Sequence, residues 1–88
     1  MILRFEESFE KDLLKLKDKK VKKKLTQVIQ NLKRAEKLDE ISNLKKLEGY
    51  KYFYRIRLGN YRIGLEKDKV IVIITRILLR KDIYKYFP

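Results

Sequence analysis

Apolar residues return at Phe9, Leu13 and Leu16, the i, i+4, i+7 spacing that lays one stripe along a helix. Ser8, just ahead of the stripe, is a candidate N-cap. A second stripe at Val21, Leu25, Val28, Ile29 and Leu32 keeps the helical period over three turns, with Asp18 placed to cap it. Two helices this close predict an antiparallel hairpin. Over residues 39–49 the period fades into a connection, with Leu44 and Leu47 tucked beneath it. The pattern then changes to alternation. In residues 51–58, Tyr52, Tyr54, Ile56 and Leu58 fall on one side of a strand and Lys51, Phe53, Arg55 and Arg57 on the other. Gly59 and Asn60 have the Gly-first order of a type II′ turn. Tyr61, Ile63 and Leu65 carry the apolar side back along a second strand, and Lys67, Asp68 and Lys69 turn the chain again. Residues 70–76 are apolar on both sides, as a strand inside a sheet is. Ile2–Phe5 reads as a short opening strand and residues 82–88 as a short helical tail.

These elements predict an α+β fold in the order β-α-α-β-β-β, an antiparallel sheet of about four strands backed by a helical hairpin. The first strand is expected to reach the sheet centre beside residues 70–76. With no Pro- or Ser-rich linker, residues 1–88 are expected to form a single domain. There is no cysteine and no histidine, which excludes disulfides and a Cys/His zinc site, and no cofactor or metal is expected. No apolar run approaches the ~20 residues of a membrane span. The opening M1-I-L-R-F-E-E lacks the basic-then-apolar order of a signal peptide, so the expected location is cytoplasmic, away from membranes.

Charge sharpens this picture. Lys and Arg number 24 against 12 Asp and Glu, a net +12. Such an excess suits a polyanionic partner, whether nucleic acid, ribosome or acidic protein, although a solvated lysine-rich surface explains it too. The distribution separates the two. Residues 1–50 hold 12 Lys, 2 Arg and 9 acids; residues 51–88 hold 5 Lys, 5 Arg and 3 acids. Arginine is the residue that grips phosphate through a planar fork, whereas lysine suffices for solubility. The lysines at 19, 20 and 22–24 read as a solvated helix face, and the second half as the working half.

With Gly59 and Asn60 as the loop, Leu58 opposes Tyr61, Arg57 opposes Arg62 and Arg55 opposes Gly64. Arg57 and Arg62 then lie about 5 Å apart at Cβ, and like charges so placed destabilise a sheet. Glu66, the nearby acid, lies too far along the strand to neutralise them. Long stems covering apolar sheet would be one reason for this face; guanidinium groups converging on one phosphate is the stronger one. Gly64 is expected to leave an opening beside Arg55 through which another backbone or a phosphate can approach. Arg76 joins the face or leaves it according to the length of the turn at residues 67–69. Among the aromatics, Tyr54 and Tyr61 belong to the apolar side, while Phe53 and Tyr84 are the candidates for stacking on bases.

The order L44-K-K-L-E-G, then Y54-R-I-R-L-G-N-Y-R-I-G, a hydrophobic strand and R80-K-D-I-Y84 resembles the RelE/ParE superfamily of toxins from prokaryotic toxin–antitoxin modules. The opening F5-E-E-S-F-E-K-D-L-L-K-L fits the same pattern. The resemblance spans nearly the whole chain and implies a microbial RNase-like fold. In its RelE-like branch it implies ribosome-dependent cleavage of mRNA by attack of the RNA 2′-hydroxyl on the neighbouring phosphate. Carried across by motif, the catalytic positions fall on Arg55, Arg57, Arg62, Arg80 and Tyr84, with Arg62 and Arg80 on the phosphorane and Tyr84 orienting a base or the nucleophile. Lys51, Phe53, Arg76, Lys81 and Lys85 are the expected RNA contacts. The implied partners are the ribosome, mRNA and a small, acidic, RelB-like antitoxin in a hetero-oligomer. Two departures stand out: arginines replace the lysines some relatives carry on the basic strand, and Leu79 stands where many have histidine. A guanidinium is a poor general base, so cleavage must lean on charge stabilisation and positioning. A ParE-like inhibitor of DNA gyrase with no chemistry of its own, and a degenerate toxin that binds RNA or antitoxin without cleaving, are the alternatives.

Overall fold

Each element that alternation and helical spacing predict is present in the computed structural model, which describes residues 1–88, together with one strand that they do not. The chain runs β1 (Ile2–Phe5), α1 (Glu7–Lys15), α2 (Lys19–Arg34), a 3₁₀ turn (Leu38–Glu40), β2 (Leu44–Lys46), β3 (Phe53–Leu58), β4 (Tyr61–Asp68), β5 (Ile71–Leu79) and α3 (Arg80–Tyr86). The sheet has five strands in the order β1-β5-β4-β3-β2, all antiparallel except the β1–β5 pair. The fold is α+β as expected, with five strands where about four were foreseen.

The added strand is β2, which occupies the expected connection. It pairs with β3 through Leu44–Ile56, Lys45–Arg55 and Lys46–Tyr54. Three residues are too few to show alternation, so only its partner reveals it as a strand. The opening strand does pair with β5, but it forms the outer edge of the sheet while β4 holds the centre. Ser8 is not the cap of α1. The helix starts at Glu7, and the Ser8 hydroxyl instead donates to the Thr75 carbonyl at 2.6 Å, tying α1 to β5. Asp18 does cap α2, accepting from the amides of Lys20 at 2.9 Å and Val21 at 3.2 Å. That carboxylate also offsets the five lysines crowding the positive end of the helix. Strand β3 begins at Phe53 rather than at residue 51, and Tyr52, in the bend before it, is exposed instead of facing the core. Strand β5 continues three residues past Arg76 and passes directly into α3.

The core lies between the helical hairpin and the apolar side of the sheet. Phe9, Leu16, Val21, Leu25 and Leu32 meet Ile56, Leu58, Ile63, Leu65, Val72, Ile74 and Ile77 in one buried cluster, with Tyr54 and Tyr61 packed at its border. The opposite side of the sheet carries the hairpin arginines, and α3 folds back over it. No helix is long and apolar enough to cross a membrane.

Candidate functional site

The hairpin register follows from its turn. Gly59 has φ +60°, the left-handed first position a type II′ turn requires, and this leaves Arg57 opposite Arg62 and Arg55 opposite Gly64. Residues paired across antiparallel strands share a face, so Arg55, Arg57 and Arg62 project together. Helix α3 completes the arrangement. Its first amide, on Arg80, donates to the Asn60 carbonyl at 2.9 Å, fastening the helix start to the hairpin turn. Arg80 and Tyr84 are four residues apart and so lie on one face of α3. The Arg55 guanidinium carbon stands 4.6 Å from the centre of the Tyr84 ring.

Arg55, Arg57, Arg62, Arg80 and Tyr84 thus line one recess of about 310 Å³, together with Asn43, Leu44 and Lys45. None of its cations has a carboxylate partner, since the two ion pairs of the protein are Lys11–Glu7 and Arg76–Asp12. Arg62 is held by its own turn, its Nη1 donating to the carbonyls of Gly59 and Tyr61 at 2.9 Å each. Burial, then the charges of Arg80, Arg57 and Arg55, lower its pKa from the ordinary guanidinium value, with Tyr84 opposing them. Hydrogen bonding by Arg80 and the charge of Arg55 draw the Tyr84 hydroxyl toward ionisation, below the ordinary phenol value. Arg57 is steadied by Asn43, whose side-chain oxygen accepts from its Nη2 at 3.4 Å and whose carbonyl accepts from its amide at 3.0 Å. The recess is a concave, acid-free surface of five cations and one phenol, a setting for an anion.

Asn43 and Lys45 escape a reading of the sequence because they belong to the unforeseen strand and its approach. The pairing of Lys45 with Arg55 places it in the recess, and no local pattern announces that pairing. The remaining sequence candidates divide. Lys51 sits exposed in the bend before β3, and Lys81 and Lys85 are exposed on α3. Phe53 is half-buried between Tyr50 and Phe87, its ring edge-on to both at centroid distances of 5.5 and 5.7 Å. Arg76 lies opposite Gly64, on the arginine side of the sheet, because the β4–β5 register shifts between Gly64 and Leu65. It nevertheless stays out of the recess. Its Nε and Nη2 bind the buried Asp12 carboxylate at 2.7 and 2.8 Å, beyond the end of β1. The opening expected at Gly64 is closed: Phe87 fills it, and a Cβ there would lie 2.7 Å from the ring. Leu79 is half-buried opposite Tyr61.

Residues 3–84 match the family model of the ParE toxin of type II toxin–antitoxin systems. The chain belongs to the RelE/ParE superfamily of toxins. Within that superfamily it is 39% identical over 85 residues to toxin RelE3 of Methanocaldococcus jannaschii, a match covering 96% of each chain. The toxin fold superposes on a RelB–RelE antitoxin–toxin complex from Methanococcus jannaschii with a TM-score of 0.82 at 39% identity, over 97% of this chain and 99% of that one. An archaeal RelE–RelB complex from Pyrococcus horikoshii shares the fold with a TM-score of 0.72 at 23% identity, over 90% and 93% of the two chains.

Proposed function

We propose that this toxin cleaves messenger RNA on the ribosome, with the scissile phosphate seated in the arginine recess. The observation that carries the reading is the convergence of Arg55, Arg57, Arg62, Arg80 and Tyr84 on one concave surface without a carboxylate. In the reaction the RNA's own 2′-hydroxyl attacks the adjacent phosphorus and the 5′-oxygen departs, taking a proton from solvent, which leaves a 2′,3′-cyclic phosphate and a 5′-hydroxyl. The phosphorane between them carries extra negative charge, which Arg62 and Arg80 stabilise from fixed positions. Tyr84 orients the attacking hydroxyl or the ribosomal or solvent base that takes its proton. With no histidine in the chain and guanidinium groups too basic to accept protons, positioning on the ribosome supplies much of the rate. A small acidic antitoxin of RelB type is the proposed partner in a hetero-oligomer. The +12 charge and the RelB-bound state of the similar structures support it. Both partners act in the cytoplasm.

Arg62→Ala and Arg80→Ala are each expected to abolish growth arrest while antitoxin binding persists; two fully toxic variants would overturn the reading. A gyrase-inhibiting mode is the second reading, favoured by the match to the ParE family model. Mapping of mRNA 5′ ends on programmed ribosomes, run beside a gyrase supercoiling assay, separates the two. New 5′ ends with unchanged supercoiling exclude gyrase; blocked supercoiling on intact message excludes cleavage.

A further inference from the structure

Beside the arginine recess lies a second one of about 440 Å³, and the two share Lys45, Arg55 and Tyr84 as a common wall. A ligand in one therefore continues directly into the other. Their linings differ in kind. The first holds five cations and no acid; the second holds three, Lys45, Arg55 and the added Lys46, and sets among them Tyr50, Phe87 and Glu48, its one carboxylate side chain. A carboxylate only accepts hydrogen bonds, so Glu48 suits the donor edge of a base.

Tyr50 is built to offer a ring. It is 47% exposed, yet it is braced edge-on by Phe53 at 5.5 Å, and Phe53 by the buried Phe87 at 5.7 Å. Three rings locked at near right angles leave Tyr50 little freedom to lose when a planar ligand settles on it. Rings beside a cationic groove are how proteins hold unstacked bases.

We propose that this second recess is a nucleobase subsite, in which the base next to the scissile phosphate stacks on Tyr50, with Lys45 between base and phosphate. The subsite rests on the endonuclease reading and adds to it a contact on the substrate's base.

The test is cleavage of mRNA on programmed ribosomes by the full-length toxin and by Tyr50→Ala and Tyr50→Phe. Each is assayed on intact message and on messages with an abasic nucleotide on either side of the cleaved bond. Tyr50→Ala is expected to cut intact message about tenfold more slowly, as loss of a base–aromatic stack dictates. Tyr50→Phe keeps the ring and the wild-type rate. On one of the two abasic messages wild type and Tyr50→Ala converge, because there is no base left to stack. A Tyr50→Ala toxin that cuts intact message at the wild-type rate overturns the subsite alone. So does a deficit that persists on both abasic messages. Intact message left uncut by the wild type brings down the endonuclease reading and the subsite with it.

Discussion

Asp12 lies in the apolar stripe of α1, three residues after Phe9, and is 7% exposed. It accepts from Arg76 twice and from the Ile77 amide at 3.1 Å, serving the free edge of β5 where β1 has ended. The guanidinium is held charged by this contact, its pKa raised chiefly by the hydrogen bond to Asp12. Removing one member of such a pair strands the other, so Asp12→Ala is expected to lose about 3–5 kcal/mol in urea unfolding. That is a large part of the ~5–15 kcal/mol that holds most domains folded. A loss under about 1 kcal/mol would show the pair to be dispensable. No local pattern announces this role of Asp12, because its partner lies 64 residues away. Tyr84 yields a titration. Its folded-state pKa lies below the ordinary value of 10.0 because Arg80 and Arg55 favour the anion. The stabilisation it contributes is complete above the unfolded-state value and disappears as pH falls through the lower, folded-state one. Absorbance at 295 nm should show one of the six tyrosines ionising before the rest, and Arg80→Ala should return it to them.

Helix α3 carries two of the recess residues, and it is fixed at both ends. Arg80 donates to Asn60 at its start, Ile83 is wholly buried, and Phe87 closes over Gly64 at its end. A methyl group at Gly64 meets three ring carbons at 2.7–2.8 Å. Gly64→Ala must therefore displace Phe87 and loosen the helix that holds Tyr84 above Arg55. The expected loss is about 1–3 kcal/mol, the usual cost of overpacking, together with a rise of the Tyr84 pKa toward that of a free phenol. Adding Phe87→Leu to Gly64→Ala should recover stability rather than lower it further, which a double-mutant cycle measures; additive losses would exclude the steric account. Alternation and a Gly-first turn were enough to place Arg57 opposite Arg62, since hairpin register depends on neighbours in sequence. Strand β2 was hidden for the opposite reason: three residues take their conformation from hydrogen bonds to β3, not from their own pattern.

Across the whole molecule the charge is uneven, with the arginine recess on one side of the sheet and the apolar core on the other. Association with ribosomes or single-stranded RNA should weaken steeply with salt, the logarithm of affinity falling by roughly 0.7 per phosphate neutralised on a single strand. Arg62→Ala should reduce that slope by about one phosphate's share, measured by fluorescence anisotropy on an RNA oligomer across a salt series; an unchanged slope would place Arg62 off the phosphate path. The chain by itself determined the element types apart from β2, the hairpin register and the shared side of Arg55, Arg57 and Arg62. These depend on period and turn geometry, which act over a few residues. Tertiary structure alone decided that Lys45 and Asn43 enter the recess, that Asp12 takes Arg76 out of it, and that Phe87 seals Gly64. Each of these is a contact between segments distant in sequence, set by how the sheet edges and helix ends are filled once the core has closed.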